Sequence, residues 1–188
     1  GGGPGPALAD NFPQVEAAVR LFHVTPRLLA NGDKRFNERG FFFVDSTFFR
    51  VFTHPFLEGD PATALTRPDA VVLTRSAKER YFGAGPAVGE TLLYENEHPL
   101  TVTGVIEDVP ANSHLQFDLL GAFRGGEAVE VDYDEDIYPS YLYTYVLLRP
   151  DADVPALRAG LKPFVERQFP RWGGQTAPSL VPLTDIYL

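Results

Sequence analysis

Four histidines, His23, His54, His98 and His114, are the side chains from which a metal or proton-transfer site would first be built, and their spacing argues against one. No two stand at i, i+4 and no His-Glu-x-x-His run occurs, so no helix face offers two imidazoles to one ion. The chain has no cysteine, which excludes thiolate zinc sites, disulfides and thiol nucleophiles. Asp132, Asp134 and Asp136 have the spacing of the first three ligands of a calcium loop. Ile137 stands where the turning glycine belongs and Tyr143 where the bidentate glutamate belongs, so the run reads as a solvated acidic loop. Ser113 and His114, with Asp108 and Asp118 nearby, supply the residue types of a hydrolase triad. Neighbours on an extended segment face opposite ways and no Gly-x-Ser-x-Gly elbow exists, so turn capping by Asn112 and Ser113 accounts for them better. Gly83, Gly85 and Gly89 approach a dinucleotide fingerprint, but the last spacing is one residue too long and the glycines follow a helix pattern instead of opening one. No Gly-x-x-x-x-Gly-Lys-Ser/Thr loop is present to cradle phosphates. The expectation is a chain with no catalytic, cofactor-binding or metal-binding residues, and not an enzyme.

The elements around these residues come from a chain of 188 residues, 44% hydrophobic, long enough to bury a core as one domain or two small lobes. Sixteen basic residues against 25 acidic ones give a net charge of −9, and no window combines Lys or Arg with aromatics, so nucleic acid is not an expected partner. No run approaches the roughly 20 apolar residues that cross a bilayer as a helix. The chain lacks methionine and opens Gly1-Gly2-Gly3-Pro4-Gly5-Pro6. Residues 1–9 are read as a linker or cloning remnant of something longer, and residues 10–188 as the folded unit.

Asp10 or Asn11 before Pro13, with Val15, Ala18 and Val19 at helical spacing, predicts a helix over 12–20. Strands are expected over 21–29 and 35–44, joined by the hairpin signal Asn31-Gly32-Asp33. Phe48, Phe49 and Phe52 predict a short buried helix over 46–52, with Asp45 or Ser46 as its cap. Together with Phe41-Phe42-Phe43 they are read as core, not as a ligand-stacking platform. A strand over 70–73 runs into a helix over 75–82 capped by Thr74 or Ser76 and stopped at Gly83. A hairpin follows, 90–94 against 100–107, then strands at 114–120 and 141–149, a helix over 154–169 and a last strand over 179–188. Residues 124–139 are polar and acidic and read as a variable loop. The pattern is α+β, two small α/β lobes built from β-hairpins and mixed sheet with short packed helices.

Taken in order, several of these segments resemble one family. Phe12-Pro13-x-Val15-Glu16 is similar to the opening helix of the MacB-like extracytoplasmic domain of FtsX-like and MacB-type ABC-transporter permeases, with Gln14 for the usual Glu. Val44-Asp45, Phe48-Phe49, Phe56-Leu57-x-Gly59-Asp60-Pro61 and Ala64-Leu65 resemble its next block. Val71-Val72-Leu73-Thr74, Ala77, Tyr81-Phe82-Gly83 and Val88-Gly89 continue the likeness, with Glu90 for Lys. The most specific stretch is Thr103-Gly104-Val105 with Asp108-x-Pro110-x-Asn112-Ser113-His114 and Phe117-Asp118. Pro182 to Leu188 resembles the segment before the next membrane span, with Tyr187 for His.

The resemblance implies an extracytoplasmic domain on the periplasmic face of the bacterial inner membrane. It would couple ATP-driven motion in the cytoplasm to export, lipoprotein handling or activation of an envelope partner. The partners it implies are a second permease copy and a cytoplasmic ATPase, separate or fused, with no ATP hydrolysis in this chain. The alternative is a membrane-tethered sensor domain binding a small ligand, which would show a pocket with convergent polar groups. If both ends abut membrane, the chain near Asn11 and near Leu188 should lie at one pole.

Overall fold

The computed structural model describes residues 5–24, 26–123, 142–170 and 178–186. In chain order these form helix α1 (Gly5–Asn11) and strands β1 (Val15–His23), β2 (Arg27–Asn31), β3 (Lys34–Glu38) and β4 (Phe41–Val44). Helix α2 (Phe48–Val51), strands β5 (Phe56–Gly59) and β6 (Ala70–Thr74), helix α3 (Arg75–Phe82) and strands β7 (Thr91–Tyr94) and β8 (His98–Ile106) follow. Strands β9 (Leu119–Ala122) and β10 (Leu142–Leu148), helix α4 (Val154–Gln168) and a 3-10 turn (Leu183–Asp185) complete the order. The strands make one ten-stranded mixed sheet in the order β10-β1-β4-β9-β6-β8-β7-β2-β3, with β5 on β8. β4–β9 and β6–β8 are parallel and the other pairs antiparallel. The class is α+β, with the expected β-hairpins, mixed sheet and short packed helices, and the strand pairing is continuous through the sheet.

The central strands are buried on both faces, and their period of two sorts the apolar residues into two layers. Phe41, Phe43, Val71, Leu73, Val105 and Leu119 turn to the side of helix α3, where Ala77 and Tyr81 meet them. Phe42, Val44, Val72, Ile106 and Leu120 turn to the opposite side, against Phe48 of α2. The consecutive phenylalanines are core, as their composition suggested. A third cluster closes the β1–β10 end, where Leu157, Leu161, Phe164 and Val165 of α4 meet Leu8, Val15 and Ala18. Leu180 packs on the same cluster, so the chain on either side of the fold converges there.

Several expected elements differ. Residues 15–23 form strand β1, not the helix expected over 12–20, and the helix lies earlier, in α1, which begins within the stretch read as linker and ends at Asn11. Sandwiched between β10 and β4, β1 buries Ala17 to Leu21 without a break, Arg20 included, and a segment buried on both faces has no period to separate strand from helix. Asn11 ends the helix instead of starting one, its side-chain amide donating to the Ala7 carbonyl. The strand expected over 21–29 is interrupted before Arg27, at Pro26, and its halves occupy distant places in the sheet. The strand expected over 35–44 breaks at Gly40, whose carbonyl accepts from the amides of Asp118 and Leu119. A Cβ there would lie 2.9 Å from the Asp118 nitrogen. Strand β9 begins only at Leu119, because Gln116 holds the preceding residues in a strap by donating to the carbonyls of Pro110 and Ser113. Strand β5 forms between Pro55 and Asp60, in a segment whose Pro and Gly residues favour turns, by pairing with β8. No strand forms over 178–186; Pro182 has no amide to give a ladder and the chain makes a 3-10 turn. The acidic loop over 124–139, with Asp132, Asp134 and Asp136, lies outside the described residues.

Candidate functional site

The strap between β8 and β9 carries the densest motif, and the structure uses its polar residues as clamps. Asp108 accepts from the Ser76 amide and hydroxyl, both at 2.8 Å, pinning the strap to the first turn of α3. Burial raises the Asp108 carboxyl, but the two Ser76 hydrogen bonds and nearby Arg75 outweigh it and leave the group below the usual carboxylate range. Arg75 pairs with Glu107 alongside. Thr74 caps α3, accepting from the Ala77 amide, and Gly83 stops it at φ +68°. The triad reading is not realised: Asp108 is held by Ser76, Asp118 approaches Arg80 at 3.8 Å, and His114 touches Phe52 and Tyr145.

Under α3 lies a polar network that local sequence did not announce. Glu38, almost fully buried, accepts from Arg80 with both oxygens at 2.9 Å and from the Tyr81 hydroxyl at 2.6 Å. Burial, then the Glu38 carboxylate, push the Tyr81 phenol far above its ordinary value. Asp118 beside them is raised by burial, against the pull of Arg80. Residues 38 and 80 belong to separate elements, so no spacing rule could pair them.

A concavity of about 940 Å³ opens between α1, β1 and the segments around Asp45 and Leu65. On its floor Asp45 accepts from the Arg20 amide, Nε and terminal nitrogen at 2.8, 2.9 and 2.7 Å, and the guanidinium lies 3.9 Å over the Phe123 ring. Asp45 therefore serves this bidentate fork and does not cap α2 as expected; the cap position is Thr47, whose hydroxyl donates to Ala18. Arg50 pairs with Glu16, and Arg67 with Asp69, whose carboxyl the Arg67 hydrogen bond holds low. The arginines of the cleft, Arg20, Arg50 and Arg67, are each paired with a carboxylate, an arrangement that ties loops to the sheet.

The four histidines do not converge on one ligand position. His23 bonds the Arg39 carbonyl and stacks on Phe42, His98 lies near Glu97, and His54 stacks on Phe48. Among the described residues no three His, Cys, Asp or Glu side chains come together as metal ligands. No described helix is long and apolar enough to cross a membrane.

Comparison with known proteins agrees with this scaffold. No curated protein sequence matches the chain. Among solved structures, a domain assigned to a permease protein of Porphyromonas gingivalis is 24% identical with a TM-score of 0.72, covering 88% of this chain and 70% of that one. The periplasmic region of MacB from Actinobacillus actinomycetemcomitans is 16% identical with a TM-score of 0.65, covering 88% and 74%. The extracellular domain of the noncanonic ABC-type transporter YknZ from Gram-positive bacteria is 13% identical with a TM-score of 0.62, covering 86% and 80%. At these identities the likeness is one of fold. The family model of the MacB-like periplasmic core domain matches residues 3–164, and on that match the chain belongs to this family of permease domains.

Proposed function

We propose that the chain is the extracytoplasmic part of an ABC-transporter permease. It relays motion driven by a cytoplasmic ATPase to export, lipoprotein handling or activation of an envelope partner, and it works beside a second permease copy. The observation that carries this reading is the family match over residues 3–164. Two features support a mechanical role. A single mixed sheet spans the fold, and the third core cluster gathers α1, α4 and Leu180 at one end of it, so a displacement of either flanking segment is passed to β1 and β10 through packed side chains. The arginines of the cleft are engaged in ion pairs, which suits a rigid transmitting body better than a small-ligand sensor.

The test is a distance measurement in the full-length permease, reconstituted with its ATPase and spin-labelled at Lys162 of each copy. An ATP-dependent change in the inter-copy distance, absent with a hydrolysis-deficient ATPase, is the expected result. Identical distance distributions in both nucleotide states would overturn the reading. The 188-residue chain by itself is expected to give no saturable heat with ATP in calorimetry.

A further inference from the structure

Two imidazoles lie in one aromatic cluster that the mechanical reading leaves unused. His54 stacks on Phe48 at 5.8 Å and meets Phe117 edge-on at 5.4 Å, joining α2 to the strap before β9. His114, on that strap, packs against Phe52 at 6.3 Å and Tyr145 of β10 at 5.7 Å. Its Nε2 is buried and has no hydrogen-bond partner among the described residues. Protonation puts an N–H at that atom whichever neutral tautomer it starts from, so the charged ring carries a buried donor with no acceptor.

We propose that His54 and His114 form a proton-operated latch, holding the strap of residues 108–118 onto helix α2 and strand β10 at neutral pH and loosening it under acid conditions. Among the described residues, the groups able to offset a charge there are turned elsewhere. On α2, Arg50 faces Glu16, and the preceding Asp45 is bound to Arg20. On β5, Glu58 accepts from the amides of Ala87 and Val88. Just before the strap Glu107 pairs with Arg75, and on it Asp108 holds Ser76 and Asp118 faces Arg80. From β10 the titratable group in contact is the Tyr145 phenol, which burial pushes up and keeps neutral. Burial lowers both histidines from their ordinary value of 6.5, with no carboxylate acting against it.

The sign follows from linkage. A base whose folded value is depressed binds fewer protons folded than unfolded, so its stabilising effect is complete above 6.5 and is lost as pH falls from there through the lower folded value. The latch belongs to this chain and operates in it whatever machine the chain serves.

Two measurements on the 188-residue chain decide it. In an NMR titration both rings should titrate below the ordinary histidine value. Amide-exchange protection over 108–118, corrected for intrinsic rates, should fall at least about threefold relative to β6 between about pH 7.5 and about pH 5.5. His54→Phe combined with His114→Phe should remove that difference. Rings titrating at or above the ordinary value would overturn the proposal, as would an unchanged protection ratio or the same loss in the double variant. If the double variant does not fold, the wild-type ring titrations and protection ratio decide alone.

Discussion

Burying a carboxylate costs several kcal/mol unless its lone pairs are filled, and Glu38 fills its own from Arg80 and the Tyr81 hydroxyl. Replacing Glu38 with Ala leaves the phenol without an acceptor and a partly covered guanidinium without its anion. The expected loss is about 2–4 kcal/mol in urea unfolding, reduced from the fully buried case because Arg80 is 30% exposed. A loss below about 0.5 kcal/mol would mean that water replaces the network without penalty. Asp118 behaves oppositely. Burial raises its carboxyl, so ionisation opposes folding once pH exceeds the ordinary carboxylate value, and the penalty is complete above the raised folded value. Asp118→Asn should be more stable than wild type at neutral pH, with the difference shrinking as pH falls toward about 4; a variant less stable at pH 7 would show that the Arg80 contact dominates. Asp69 and Asp108, held low, contribute stability above 3.8 that disappears as pH drops through their lower folded values.

At the scale of elements, α3 was legible to the residue. Thr74, Arg75 to Phe82 and Gly83 play the cap, body and stop that their types announce, because caps are local chemistry. Thr74→Ala should cost about 1 kcal/mol in chemical denaturation and raise amide exchange in the first turn of α3 before it affects the sheet. Strand β5 was not legible. Its strand character depends on Gly59, which sits at φ +88° and would drive a Cβ into the Thr103 carbonyl of β8. Gly59→Ala is expected to lower stability by more than about 2 kcal/mol, whereas Gly85→Ala, with open space around it, should change it by less than about 0.5 kcal/mol. Equal effects in thermal melts would show that the β5–β8 approach has room to give.

For the whole molecule, the third core cluster is the joint between the fold and its flanking segments. Phe164→Ala removes the ring that meets Phe12 and Phe169 and should cost about 3–5 kcal/mol. It should also release α1 and the segment around Leu180 together in hydrogen exchange, before the α3 side of the core. Release of one without the other would separate them. The sequence alone determined the α+β class, the helix pair α3 and α4, the β7–β8 hairpin, the phenylalanine core and, through its ordered motifs, the family. It did so because caps, turns and two-residue alternation are read over a few neighbouring positions. The tertiary structure decided that residues 15–23 are a strand, since only the flanks supplied by β10 and β4 give that buried segment its conformation. It also decided which distant charges meet, Arg20 with Asp45 and Glu38 with Arg80. Pairing across more than twenty residues is set by strand order and register, which arise from contacts between segments that no local pattern encodes.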